Sequence, residues 1–137
     1  MSKPVLYVGV FLQKTDRERL LLAVPPRHET VHADHLTLIF RPSKDEFSNY
    51  VLGVEQQFLV VGEVFDEKGQ AVLVTGVDSK NAYPHITIST AIGTKPVYSN
   101  ELFVKSTVRV FDEPVRLVGI VDAFPPQKRN TEEIANG

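Results

Sequence analysis

Two segments of the chain alternate polar and aliphatic residues in the same order. The first reads HLTLI at positions 35–39 and the second reads HITIS at positions 85–89. Residues i and i+2 of a strand point to the same side, so each segment would present a histidine and a threonine on one face and two aliphatic side chains on the other. The aliphatic face predicts a place in a hydrophobic core. The polar face needs water, a ligand or another polar group, because burial against apolar neighbours would be costly.

Other short β-branched and aromatic segments recur along the chain, separated by turn residues. The segment VLYVGVFL at positions 5–12 is almost entirely apolar, which is typical of a buried central strand. A hairpin is predicted over 58–64 and 71–77, with Gly69 in its turn adopting a positive φ. The last third predicts two antiparallel strands, 107–111 and 115–123, which turn at Asp112-Glu113-Pro114.

Helices are predicted to be fewer and shorter than strands. Thr15 is expected to cap a helix that reaches Leu22 before a proline pair, and Ser43 followed by two acidic residues predicts a second helix start. The polar stretch 27–34 is expected to be a loop leading into a strand over 35–41. Because strands outnumber helices and occur mainly as hairpins, the pattern favours an α+β fold with largely antiparallel sheet.

Length and composition favour one ordinary globular unit. The 137 residues fit a single domain over 1–137, with a polar tail from about position 126 that is expected to be loose. The chain lacks cysteine, an apolar run of the roughly 20 residues that a spanning helix needs, and a signal-peptide pattern, which together favour a cytoplasmic protein with no membrane partner. A net charge of −2 argues against binding to an extended duplex nucleic acid but allows a small anionic ligand. A monomer is expected.

The paired His-x-Thr segments suit chemistry at phosphorus. In-line displacement needs a base and an acid on opposite sides of the phosphorus atom, and histidine, with an unperturbed pKa of about 6.5, can serve as either. The threonine hydroxyls could donate hydrogen bonds to the non-bridging oxygens. We therefore predict His35 and His85 as catalytic residues and Thr37 and Thr87 as phosphate-binding residues, with no metal and no cofactor.

The two segments, HLTLIF and HITIS, resemble the paired motifs of the 2H phosphoesterase superfamily, the LigT-like enzymes. That superfamily includes RNA 2′,3′-cyclic phosphodiesterases and the cyclic phosphodiesterase domain of fungal tRNA ligases. The resemblance implies a bilobal, pseudo-symmetric fold in which one His-x-Thr from each lobe faces a central cleft. It also implies that His35, Thr37, His85 and Thr87 form the site. Beyond the motifs, the order of elements is similar only loosely.

Other residues near the motifs have two interpretations each. Arg41 shares the face of His35 if the strand stays extended, and could reach a phosphate or simply be solvated. Tyr83, two residues before His85, could contact substrate or pack against the protein. His28 and His32 could line the cleft or, with His35, bind a metal, but we expect them to lie in a surface loop.

Three classes of function remain compatible with the sequence. The leading prediction is a hydrolase that cleaves cyclic phosphodiesters, either RNA 2′,3′-cyclic phosphate ends or small cyclic nucleotides, as in RNA processing. A variant of the same chemistry is cleavage of cyclic oligonucleotide second messengers, as in phage proteins that act against host defence. A second class is a nucleotide-binding module without activity. The third is a structural protein, which predicts that His35 and His85 are buried in separate places.

Overall fold

The computed structural model describes residues 4–127. Most of the predicted loose tail therefore lies outside the described residues. Within them, seven strands and three short α-helices follow one another along the chain: β1 (Tyr7–Leu12), α1 (Lys14–Ala23), β2 (Thr30–Val31), β3 (His35–Phe40), α2 (Lys44–Phe47), β4 (Glu55–Phe65), β5 (Gly69–Thr75), β6 (His85–Thr90), α3 (Ser99–Lys105) and β7 (Arg109–Phe124). None of these helices is long or apolar enough to cross a membrane.

Six of the strands form one closed antiparallel barrel. Their order is β6-β3-β1-β7-β4-β5, and β5 also pairs with β6, which joins the two ends of the sheet. The short strand β2 pairs with β6 as well. The α+β class with a mostly antiparallel sheet and few short helices is therefore confirmed. The predicted division into two lobes is a finer expectation, and the strands described here all belong to a single sheet.

The barrel interior is filled by aliphatic side chains from alternate strand positions. Val8 and Val10 of β1 and Leu36 of β3 are fully buried in it, together with Ile86 and Ile88 of β6. The alternation predicted for the two motif segments is therefore present, with both aliphatic sets inside the barrel. The histidines and threonines of β3 and β6 consequently lie on the outer face.

The two motif strands are direct neighbours. Leu36 of β3 lies opposite Ile86 of β6, and this is the one paired position between the two strands. Because the strands are antiparallel and these residues occupy the middle of each motif, the histidine of one strand lies beside the threonine of the other. The topology thus brings together two segments that are far apart in the sequence.

Helix starts were predicted with mixed success. The first helix begins at Lys14, and Gln13 occupies its cap position without a side-chain hydrogen bond, so the assignment of Thr15 as the cap was wrong. At α2, Ser43 accepts a hydrogen bond from the backbone N–H of Glu46, whose carboxylate accepts one from the backbone N–H of Ser43. This capping box confirms the predicted helix start at Ser43.

The predicted turn at Asp112-Glu113-Pro114 does not exist. Instead, β7 runs without interruption from Arg109 to Phe124. Along β4, Val60 pairs with Val115 and Gly62 pairs with Val110, so extra β7 residues are accommodated as an irregularity in the ladder. A proline that removes a backbone N–H is tolerated at such a bulge, which explains why the sequence signal was mistaken for a turn.

The hairpin of β4 and β5 was predicted correctly, but its glycine has another role. Gly69 is not among the residues with positive φ. The turn is instead held by the Asp66 carboxylate, which accepts hydrogen bonds from the backbone N–H groups of Lys68 and Gly69. A Cβ atom at Gly69 would lie 3.0 Å from the ring of Tyr98, so glycine leaves room for that ring. The element β2 and the helix α3 were not predicted.

Candidate functional site

Both His-x-Thr motifs line one cavity of about 450 Å³ on the outer face of the barrel. His35 and Thr37 enter it from β3, and His85 and Thr87 enter it from β6. The other lining residues are Leu6, Tyr7, His32, Asp34, Phe40, Asn81, Pro96, Val97 and Asn100. A second cavity of similar volume, lined by Leu38 and Lys80 among others, contains no histidine. The four residues predicted as the site therefore lie together.

His35 lies between two aromatic rings of the neighbouring strand. Its imidazole stacks on Tyr7 with 4.7 Å between ring centroids and 10° between planes, and on Phe11 with 5.2 Å and 26°. Tyr7 stacks in turn on Phe124 of β7, at 5.4 Å. No hydrogen bond joins the imidazole of His35 to the described part of the chain. The ring is therefore held by stacking, which leaves both nitrogens available to a ligand.

The residue between the two aromatic positions of β1 is Gly9, and it has to be small. A Cβ atom there would lie 2.6 Å from the backbone oxygen of Leu36 and 3.4 Å from Cδ2 of His35. The first distance is impossible without a backbone shift. Glycine thus allows β1 and β3 to approach closely enough for the His35 ring to lie between Tyr7 and Phe11.

His85 is oriented by a hydrogen bond to the backbone. Its Nδ1 lies 2.7 Å from the carbonyl oxygen of Tyr83. A carbonyl oxygen only accepts, so Nδ1 carries the proton and, in the neutral ring, Nε2 is the nitrogen with a free lone pair. The ring also contacts Phe103 of α3, at 5.3 Å between centroids. This arrangement fixes the tautomer of His85.

The two threonines differ in their partners. The hydroxyl of Thr87 lies 2.7 Å from the hydroxyl of Ser99, which is buried at the start of α3, and 3.3 Å from the carbonyl oxygen of Pro96. If Ser99 donates to Thr87, the proton of Thr87 is free to point toward a ligand or toward Pro96. No described residue forms a hydrogen bond with the hydroxyl of Thr37.

Both His35 and His85 have lowered pKa values, and the two rings interact electrostatically. Burial lowers the pKa of His35 below its ordinary value of 6.5; the carboxylate of Asp34 opposes this, and the charge of His85 adds to it. Burial also lowers the pKa of His85, and the hydrogen bond to the Tyr83 carbonyl opposes that shift. Both rings therefore favour the neutral form near pH 7, and protonation of one disfavours protonation of the other.

Arg41 does not line the cavity, and its predicted position on the motif face was wrong. The pairing of β1 with β3 shifts between Val8, which faces Ile39, and Gly9, which faces Thr37, so Leu38 is the extra residue of a bulge. Beyond this bulge the alternation changes phase, and Phe40, which is 57% exposed, enters the cavity lining. Arg41 itself follows the end of β3 with a φ of 49°.

Tyr83 also lies outside the cavity lining. Its ring stacks on Phe103 with 5.5 Å between centroids and 7° between planes, while its carbonyl oxygen accepts the hydrogen bond from His85. The packing interpretation therefore describes its side chain, and its backbone positions a predicted catalytic residue. Sequence alone gave no sign of this second role, because it depends on the backbone conformation just before β6.

The two remaining histidines are separated by β2. His32 lines the cavity, and its Nε2 lies 2.9 Å from the hydroxyl of Thr90. His28 lies outside the lining, with Nε2 2.8 Å from the carbonyl oxygen of Asp66. Within residues 4–127, no three histidine, aspartate or glutamate side chains come close enough together to hold a metal ion.

Several lining residues were not predicted from the sequence. Tyr7 belongs to a strand that was expected to be buried, and nothing in the sequence shows that β1 lies beside β3. Asn81 and Asn100 come from a loop and from α3. Asp34 directly precedes His35 and would alternate to the opposite face of a regular strand. It reaches the cavity because β3 begins only at His35 and the backbone turns at Ala33, which has a φ of 54°.

Comparisons with known proteins add nothing to the assignment of this site, since no family model and no curated protein sequence matches the chain.

Proposed function

We propose that the chain is a metal-independent phosphodiesterase of the 2H type that hydrolyses a cyclic phosphodiester by histidine acid and base catalysis. The observation that carries this proposal is the convergence of the two His-x-Thr motifs on one cavity. A purely structural role predicts the opposite arrangement, in which the two histidines are buried in separate places.

The cavity contains groups for both proton transfers. His85 has a fixed tautomer whose Nε2 can accept a proton from water, which makes it the base in this proposal. His35 lies near the carboxylate of Asp34, which favours its protonated form, and it therefore serves as the acid that protonates the leaving oxygen. Attack of water on phosphorus and departure of the ester oxygen leave one ring-opened phosphomonoester. The proton taken up by His85 and the one released by His35 balance.

The threonines supply the remaining contacts in this proposal. The hydroxyl of Thr37 has no hydrogen bond to a described residue, and Thr87 can donate its proton when Ser99 is its donor. Both can hold the non-bridging oxygens, where charge develops in the transition state. The likeness to 2H enzymes rests on these four residues. The two-lobed architecture of that superfamily is proposed on this likeness alone. In this chain the two motifs lie on adjacent strands of a closed barrel.

The decisive experiment is hydrolysis of a substrate panel in the presence of EDTA. The panel contains 2′,3′-cyclic nucleotides, RNA ending in a cyclic phosphate, and cyclic di- and trinucleotides. We expect turnover by the wild type and a loss of about 10²- to 10⁴-fold in His35→Ala and in His85→Ala. His28→Ala is the matched control, because that histidine lies outside the cavity and its replacement should leave turnover unchanged.

The panel also separates the competing functions. Turnover confined to cyclic di- or trinucleotides would assign the chain to cleavage of second messengers. Binding of nucleotides without turnover of any substrate would replace the enzyme by a binding module. Turnover that is abolished by EDTA, or that persists in both histidine variants, would refute the two-histidine mechanism.

A further inference from the structure

Among the described residues, the cavity lining contains one fixed negative charge and no fixed positive charge. Among residues 4–127, its lining includes the carboxylate of Asp34 but neither lysine nor arginine. Its other polar side chains are histidines, threonines, the phenol of Tyr7 and the neutral amides of Asn81 and Asn100. Sites that bind several phosphate groups typically present arginine or lysine to them. This cavity therefore has an unusual charge for a phosphate site.

An arginine beside the cavity does not change this. Arg17 donates from Nε and Nη2 to the carbonyl oxygen of His32, at 3.1 and 3.0 Å. His32 lines the cavity, whereas Arg17 does not. The guanidinium thus holds the wall of the cavity in place through the backbone, and two of its nitrogens are already engaged.

In the proposed reaction, the described lining residues have no net positive charge to offer to a second anionic group. The acid histidine carries one positive charge, and Asp34 carries one negative charge. A diester with a single negative charge can enter such a site because imidazole and hydroxyl donors suffice to hold it. A terminal phosphate would add roughly 1.5 to 2 further negative charges. No described lining residue is available to balance them.

We propose that the cavity selects phosphodiesters that carry a single negative charge, and that Asp34 is the residue that excludes a second one. This inference rests on the proposed function and narrows it. A nucleoside 2′,3′-cyclic phosphate without a terminal phosphate carries a single negative charge and is the substrate that this proposal favours. Cyclic dinucleotides, cyclic trinucleotides and RNA ends carry additional charges and should react less well.

Three substrates that differ at one position test the proposal. They are adenosine 2′,3′-cyclic phosphate, its 5′-phosphate and its 5′-methanesulfonate, a neutral group of similar size and shape. For each, kcat/KM is measured by turnover and Kd by calorimetry. We expect the 5′-phosphate to bind and react about 30- to 100-fold less well than the 5′-methanesulfonate. This is the effect of roughly 1.5 to 2 negative charges on one like charge about 6 Å away at an effective dielectric constant of about 40.

Two changes should remove this difference. In Asp34→Asn the ratio of kcat/KM between the 5′-methanesulfonate and the 5′-phosphate should fall to about twofold or less. In about 1 M salt the wild-type ratio should also fall, because the Debye length shrinks to about 3 Å. Asp78→Asn is the matched control, since it removes the same charge from a residue that lines the other cavity. Its ratio should equal that of the wild type.

The outcomes distinguish this inference from the proposed function. Turnover with equal rates for both 5′ derivatives would refute charge selection and leave the hydrolase proposal intact. Binding that discriminates by charge, without turnover of these compounds or of any other substrate of the panel, would support charge selection and refute hydrolysis. A ratio that persists in Asp34→Asn would refute the role of Asp34. Failure of all three compounds to bind or react would overturn charge selection, whereas the proposed function would then be decided by the other substrates of the panel.

Discussion

The imidazole of His35 stacks on the phenol ring of Tyr7, with centroids 4.7 Å apart and planes within 10°. This contact determines the orientation of a histidine that has no hydrogen bond to the described chain. The two histidines of the site are thus held in different ways, since His85 is fixed by a hydrogen bond to the Tyr83 carbonyl.

Removing the ring of Tyr7 should reduce activity more than removing its hydroxyl. We expect Tyr7→Leu to lower kcat/KM by about tenfold, because a freely rotating His35 spends less time in the productive geometry. Tyr7→Phe keeps the ring and should stay within about twofold of the wild type. Phe124→Leu is the control, because Phe124 stacks on Tyr7 without touching His35. Equal losses in Tyr7→Phe and Tyr7→Leu would show that the hydroxyl, not stacking, matters.

Gly9→Ala should displace His35 as well as destabilise the barrel. The added Cβ atom would meet the backbone oxygen of Leu36 at 2.6 Å, and forced shifts of this kind typically cost about 1 to 3 kcal/mol. Gly62→Ala is a matched control, because its Cβ atom would lie 2.9 Å from the backbone oxygen of Arg109, on strands that do not carry the motifs. Urea unfolding should show a loss of stability in both variants. Only Gly9→Ala should lose turnover under conditions where both are folded.

The pH dependence of kcat/KM should be bell-shaped, with its maximum below pH 6.5. Burial lowers the pKa values of both His35 and His85 from that ordinary value. The charged or titratable groups that act on His35 are Asp34 and His85. Because the carboxylate raises the pKa of His35, Asp34→Asn should lower it further. If His35 is the acid, the alkaline limb of the pH profile moves to lower pH in Asp34→Asn. Movement of the acidic limb alone would instead make His35 the base and His85 the acid.

Ser99→Ala should weaken the contribution of Thr87. The change removes the hydroxyl that lies 2.7 Å from Thr87 Oγ1, so that the Thr87 proton can turn toward the Pro96 carbonyl. We expect about a tenfold lower kcat with little change in KM, and a loss of about 1 kcal/mol in unfolding free energy. Thr87→Ser keeps a hydroxyl at the same position and should retain activity. A change confined to KM would indicate a different role for Ser99.

Stability should fall as the pH is lowered through the titration range of the two histidines. Because their pKa values are lower in the folded chain than the ordinary 6.5, the unfolded chain takes up protons first, and stability is lost as the pH falls below about 6.5. Urea unfolding at pH 7.5 and 5.5 should show this loss. The double variant His35→Gln/His85→Gln should show a smaller one, and an unchanged loss would assign it to other groups.

The alternation of polar and aliphatic faces along the two motif strands was predictable because it depends on local periodicity. His35, Thr37, His85 and Thr87 each follow a two-residue alternation, and the aliphatic residues between them required a core. The bulge at Leu38 was not predictable, because it arises from pairing with β1, and it caused the error at Arg41. The turn predicted at Pro114 was wrong for a similar reason, since a bulge and a turn favour the same residues.

The residues that complete the site depend on tertiary pairing. Tyr7 and Phe11 reach His35 only because β1 lies beside β3 in the barrel, and Ser99 reaches Thr87 only because α3 begins next to β6. One sequence contains no information about which strands are neighbours. Asp34 reaches the cavity because the backbone turns at Ala33. A positive φ is uncommon for alanine, so the sequence does not indicate this turn.

Along β3 and β6, residues that pack inside the barrel alternate with residues that line the cavity. Leu36 and Ile86 are fully buried and support the barrel, while the adjacent histidines and threonines contribute little to its interior. The polar positions can therefore be substituted one after another by variants that still fold. A descendant of this chain can change the chemical groups at these positions and inherit the same barrel.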